Sequence, residues 1–202
     1  MNVANSTKSL RARDARFART IRTRAAIAEA LNALIHEGNS APTVAEVAAR
    51  ANVAVRTVFH HFGDMEGLYA DVIRRNELMI ASYFVALDPA TSLDVRVRQL
   101  VFQQCALYER LAPLRRAMRA RLDVCDSPAI RSSIRRLHLA LSQHAGRTFA
   151  VELKDRADRF GSLERIAALT SYELWDHLVR VQRLSASKVR RHMVVSVLRE
   201  FA

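Results

Sequence analysis

A chain of 202 residues, half of them apolar, has room for one large domain or two small ones and can bury a core, which excludes a wholly disordered protein. Five glycines and four prolines are few breakers for this length, so the chain reads as all-α, and its apolar runs are too short to span a membrane. The formal net charge of +12, carried by 29 arginines and three lysines, points to nucleic acid or another acidic partner.

Residues 1–25 hold seven basic side chains and one acid, Asp14. Residues 1–9 are polar and expected to be disordered, and no apolar stretch follows Lys8 as a secretory signal would require. Residues 1–19 therefore read as a flexible basic arm. It is either a solvated, partly helical extension or an arm that follows the phosphate backbone or enters the minor groove. A first firm helix is expected from Thr20 to Glu37, with Ile27, Ala30, Leu31, Leu34 and Ile35 on one face and Gly38 just past its end.

Residues 43–69, TVAEVAARANVAVRTVFHHFGDMEGLY, carry the strongest signal. Thr43 and Glu46 have the spacing of a capping box. Val44, Val47, Ala48 and Ala51 then form one stripe of a short helix, and Asn52 tolerates the left-handed backbone of a sharp turn. A second short helix from about Ala54 to His61 points Val58 and Phe62 inward. Two short helices joined by a tight turn make a helix-turn-helix, whose second helix enters the major groove. Braced by the first helix, they complete a DNA-binding domain over residues 20–66. Its segment 26–66 is itself acidic, with Arg50 and Arg56 against five carboxylates.

At Thr43, Val44, Val47, Ala48, Ala51, Val53, Thr57, Val58, His61, Phe62 and Leu68 the sequence resembles the TetR family of bacterial transcriptional regulators. Four positions depart from the family pattern. Asn52 replaces the turn glycine, Ala54 a capping serine, Phe59 a tyrosine and Met65 a lysine, the last two being phosphate contacts in the family. Residues 55, 56 and 60 project away from the face of Val58 and Phe62. Arg56 is thus the expected base reader, since arginine to guanine is the commonest specific contact. The full DNA-facing set is Thr43, Val55, Arg56, Thr57, His60 and His61, with Arg22 and Arg24 from the basic segment.

Residues 67–202 read as a larger helical domain. A long helix starts at Met65 and ends before Asp88-Pro89. Another runs from Ser92 to about Leu111 and stops at Ala112-Pro113, followed by Leu114–Val124. A helix beginning at Asp126-Ser127-Pro128 passes Gln143, and residues 146–161 read as a loop or broken helix. Helices over 162–184 and from Ser185 to the end carry wide apolar faces. The resemblance implies that these last two pair with a second subunit as a four-helix bundle, with Leu163, Leu174, Leu178, Val189, Met193 and Val197 in the seam.

Candidates for lining a small-molecule pocket between helices are Phe84, Phe102, Cys105, Tyr108, Leu122, His138, Leu141 and Trp175. Cys105 and Cys125 are isolated and read as apolar packing residues in a reducing compartment. Neither a metal set, a cofactor loop nor a catalytic constellation is present: His60 and His61 point apart, and Glu173 with His177 lacks a third ligand. The resemblance implies a cytoplasmic homodimer that binds double-stranded DNA at a roughly palindromic operator, a repressor released by a small-molecule effector of unknown identity. The alternative keeps the fold without an inducer, control passing to a protein partner or to abundance; an enzyme is disfavoured.

Overall fold

The computed structural model describes residues 3–202, with side chains from Arg13 onward. All regular structure among them is helical. α1 spans Val3–His36, α2 Val44–Arg50, α3 Val55–Phe62 and α4 Met65–Ile80, with a 3-10 turn at Ala81–Tyr83. α5 spans Leu93–Leu122, α6 Pro128–Thr148, α7 Ala150–Leu153 and α8 Arg159–Leu169. α9, Tyr172–Asp176, runs on into a π-helical turn at His177–Val181, and α10 spans Ala186–Glu200. The chain forms two compact units, one of Met1–Arg75 with Arg116–Ser127, the other of Asn76–Arg115 with Pro128–Ala202. The first unit therefore takes in more chain than residues 20–66.

In the first unit α1 corrects the expectation of disorder over residues 1–9 and of a helix start at Thr20. It runs unbroken from Val3; Met1 and Asn2 lie outside the described residues. From Leu10 to Arg24 there is no glycine or proline, and alanine and arginine are among the strongest helix formers. The Thr20 hydroxyl donates back to the Arg16 carbonyl at 3.1 Å. Burial begins only at Ile27, and Ile27, Ala28, Leu31 and Ile35 form the inner face. Gly38 then takes a φ of 102°, which ends the helix.

The capping box is present at α2. The Thr43 hydroxyl accepts from the Glu46 N–H at 3.2 Å, and the Thr43 N–H donates to Glu46 Oε2 at 2.7 Å. Asn52 turns the chain at φ 53°, and the Val53 N–H donates to the Ala48 carbonyl at 3.0 Å. α3 starts at Ala54 with no side-chain cap. Its end is fixed by Gly63 at φ 79° and by Asp64, whose Oδ1 accepts from the Gly67 N–H at 2.8 Å. A Cβ at Gly67 would lie 2.1 Å from the Phe62 carbonyl oxygen, so glycine alone lets α4 start this close to the end of α3. Val47, Val58, Leu68, Tyr69, Val72 and Ile73 are buried here, each worth about 1.5–3 kcal/mol of transfer from water.

The second unit departs from expectation at two breaks. Ala112-Pro113 does not end a helix, because α5 runs through Pro113 to Leu122. A proline inside a helix costs about 3 kcal/mol, and here buried Leu111, Ala112 and Leu114 beside it offset it. Conversely, the single helix expected over 162–184 is interrupted at Thr170-Ser171. The Thr170 hydroxyl bonds the Ile166 carbonyl at 2.8 Å, and the Ser171 hydroxyl caps α9 by accepting from the Leu174 N–H at 3.2 Å. Two adjacent hydroxyls compete with the helix for its own backbone.

Tyr108 fixes that break from the opposite helix, its phenol donating to the Thr170 carbonyl at 2.6 Å. Its ring packs with Tyr172 and Trp175 at centroid distances of 5.7 and 5.9 Å, geometries favourable for aromatic pairs. Buried Arg96 closes the end of α6 by donating to the Thr148 carbonyl at 2.6 Å, and it pairs with Glu152.

Near the carboxy terminus, the residues expected in the dimer seam divide by burial within one subunit. Leu178, Val189, Met193 and Val197 lie in this unit's own core, while Leu163 and Leu174 are half-buried against it. One subunit uses the faces that looked surplus in the sequence, because α10 packs on α8 and on the π-helical turn.

Candidate nucleic-acid interface

α3 has a split circumference. Val58 and Phe62 are buried against the first unit's core, and Thr57 and His61 are half-buried beside them. The opposite side exposes Arg56 and His60, four residues apart, next to Val55 and Phe59, also four apart. Side chains spaced this way share a face, so the outward surface is one polar row beside one apolar row. Arg56, Val55 and His60 thus lie together, as the sequence suggested. Phe59 belongs with them but was missed, because its position was read only as the site of a lost hydroxyl. The signal was available in its spacing from Val55.

Other predicted contacts serve the fold. The Thr43 hydroxyl is taken up by the capping box, and Glu46 also accepts from Asn39 Nδ2 at 3.2 Å. Arg24, half-buried, is tied to the unit by its own bonds. Its guanidinium donates to the His61 carbonyl at 2.6 Å and to Asp71 Oδ1 at 3.0 Å, and lies 4.3 Å from the centre of the Phe62 ring. Asp71 is 2% exposed and also accepts from Arg75 Nε at 2.7 Å and from Arg74. Burial pushes the Asp71 pKa up, but the hydrogen bonds from Arg75 and Arg24 outweigh it and hold the carboxyl below its usual range. The cluster pins the end of α3 between α1 and α4. Burial, followed by the charges of His60 and Arg24, lowers the pKa of His61, which keeps its ring neutral at pH 7.

The basic surface comes instead from α1. Arg13, Arg16, Arg19 and Arg22 are exposed at every third position; the side chains of Lys8 and Arg11 lie outside the described residues.

The residues proposed for a ligand pocket do not converge. His138 and Leu141 line a cavity of about 560 Å³ in the second unit, together with Arg115, Ile134, Leu137, Ala167, Tyr172 and Glu173. Arg115 stacks 4.8 Å from the Tyr172 ring centre and donates to Glu173 at 2.6 Å. Tyr108 and Trp175 belong to the aromatic core, and Phe84 packs on His144 at 5.1 Å. Cys105 is buried against Met193, and burial pushes its thiol up to about 12. Phe102 is exposed, and Leu122 belongs to the first unit. Among the described residues no group of three His, Cys, Asp or Glu could hold a metal ion, and no helix is long and apolar enough to cross a membrane.

Residues 26–72 match the sequence profile of the bacterial regulatory proteins of the tetR family. Comparison with curated proteins finds no match. Among solved structures, the chain is similar to a protein from Rhodococcus sp. described as a TetR-family transcriptional regulator, with a TM-score of 0.67 and 17% identity over 90% of this chain and 100% of that one. A transcriptional regulator from Rhodococcus sp. Rha1 gives 0.61 and 16% identity over 89% and 94%. These low identities speak for the fold, and the profile match speaks for the segment containing α2 and α3. Residues 26–72 thus carry the segment shared by bacterial regulatory proteins of the tetR family, and the chain has the fold of solved TetR-family transcriptional regulators.

Proposed function

We propose that the protein is a cytoplasmic homodimeric repressor that binds a roughly palindromic operator through α3 and leaves it when a small molecule occupies the second unit. The carrying observation is the outward face of α3, where Arg56 and His60 stand exposed over a buried anchor of Val58 and Phe62. A two-fold dimer places two such helices in successive major grooves, which is why the site would be an inverted repeat. The cavity supports the effector: its volume lies in the range of about 300–1,000 Å³ usual for ligand sites, and Arg115, Arg135, His138, Ser171 and Glu173 offer polar groups beside an apolar wall. An effector releases DNA only by preferring the state that binds DNA poorly. For the dimer, Phe160, Val181 and Val195 are the large apolar side chains left exposed from α8 onward, and a second copy would cover those on the last two segments.

Sequencing of genomic fragments retained by the purified protein tests the reading. Enrichment of fragments sharing an inverted repeat is expected; recovery in proportion to genomic abundance would overturn it. Light scattering on Val195→Glu tests the dimer, which should dissociate, whereas an unchanged mass would place the interface elsewhere.

A further inference from the structure

We propose that Phe59, with Val55, reads thymine 5-methyl groups, so that the operator half-site carries thymines beside the guanine read by Arg56. The inference rests on the reading that α3 enters the major groove. On that helix Val55 is 38% and Phe59 43% exposed, although the same helix has buried Val58 and Phe62 available for packing. A single exposed apolar residue means little. Two at a spacing of four form a continuous ridge, and this ridge runs beside the Arg56–His60 row on the only face of α3 turned away from its unit.

The two rows match two kinds of feature on a base edge. In the major groove guanine offers two acceptors, which suit a guanidinium, and thymine offers the one apolar group, its C5 methyl. A phenyl ring ends in C–H and cannot donate to a phosphate, so the methyl is the groove feature it can exploit. Arg56 and Phe59 are three apart and neighbours on the helix surface, which places guanine and thymine close together in the half-site.

The test uses the full chain and the duplexes it enriches from a random-sequence library. These are remade with deoxyuridine replacing each half-site thymidine in turn, which deletes the methyl and keeps the base pair. At one or two positions affinity should fall about fourfold per methyl, the partition ratio of one buried carbon. Phe59→Ala should bind thymidine and deoxyuridine duplexes equally at the position read by the ring, and Phe59→Leu should keep part of the discrimination. Both substitutions fall on an exposed side chain, and an unchanged melting temperature confirms that the domain still folds. Equal wild-type affinity for every deoxyuridine duplex would overturn the proposal. So would Phe59→Ala retaining the full wild-type sensitivity at all positions, since the methyl would then be read by another group. Failure to enrich any duplex appears before uridine is introduced and removes the DNA-binding reading itself, with this inference.

Discussion

Asp71 decides what Arg24 does. From the sequence, Arg24 was one more cation in a basic segment and a reasonable phosphate contact; nothing in its spacing reveals a carboxylate 47 positions away. Burial of Asp71 under α1 and α4 makes the pairing costly to break, because the carboxylate would be left in a site with little water. Asp71→Asn should lower the unfolding free energy in urea by roughly 1.5–3 kcal/mol, the worth of charge-assisted hydrogen bonds. Arg24→Gln should also destabilise, but without changing how operator affinity responds to salt. A salt slope flatter by about 0.9 in Arg24→Gln would instead mean a lost phosphate contact. The exposure of Arg56 was legible for the opposite reason, since it depends only on the angle from Val58 and Phe62 on one short helix.

At the scale of elements, local rules transferred well where the backbone decides and poorly where packing does. The capping box, the Asn52 turn and the glycine at the end of α1 were all readable, each being a short-range hydrogen-bond or φ requirement. Continuity through Pro113 and the break at Thr170-Ser171 were not. The first depends on buried neighbours along α5, the second on Tyr108 reaching across from another helix. Gly67 shows the same dependence on context: it looks like an ordinary residue in the first turn of α4, yet the Phe62 carbonyl leaves no room for a methyl group. Gly67→Ala should cost about 1–3 kcal/mol, as overpacking does, and weaken operator binding further by shifting α3. Unchanged stability by thermal melting would show that the backbone there relaxes freely. The basic arm is a helix rather than a loose tail, with its arginines on a three-residue spacing. Replacing Arg13, Arg16 and Arg19 with Gln should flatten the slope of log K against log salt by about 0.9 for each phosphate contact removed, on specific and random DNA alike. An unchanged slope would leave these side chains as solvated charge.

The whole molecule divides its chemistry between its units, and each can be followed separately. Trp175, the single tryptophan, lies in the second unit and reports its unfolding. That unit buries His144, whose Nε2 lies 3.0 Å from Gln103 Oε1. Burial, and then the charge of Arg147, lowers the His144 pKa. The folded state thus disfavours the protonated ring, so this contribution is complete above the unfolded value near 6.5 and is lost as pH falls toward the folded one. Stability followed by Trp175 fluorescence should decline from pH 7 to 5, and His144→Gln should flatten that decline; an identical profile would assign the titration to another group. Fold class and the helix-turn-helix were legible because they rest on periodicity. The cavity lining and the true exposed apolar residues of the last helices were not, because those depend on which of several apolar faces the subunit itself consumes. The central claim is that α3 reads sequence through Arg56, and it is tested most directly by measuring the affinity of wild type and Arg56→Ala for an enriched fragment and for a scrambled one of equal length. The expected result is a loss on the enriched fragment equivalent to about 1–3 kcal/mol and a much smaller loss on the scrambled one; equal fractional losses on both would contradict the account.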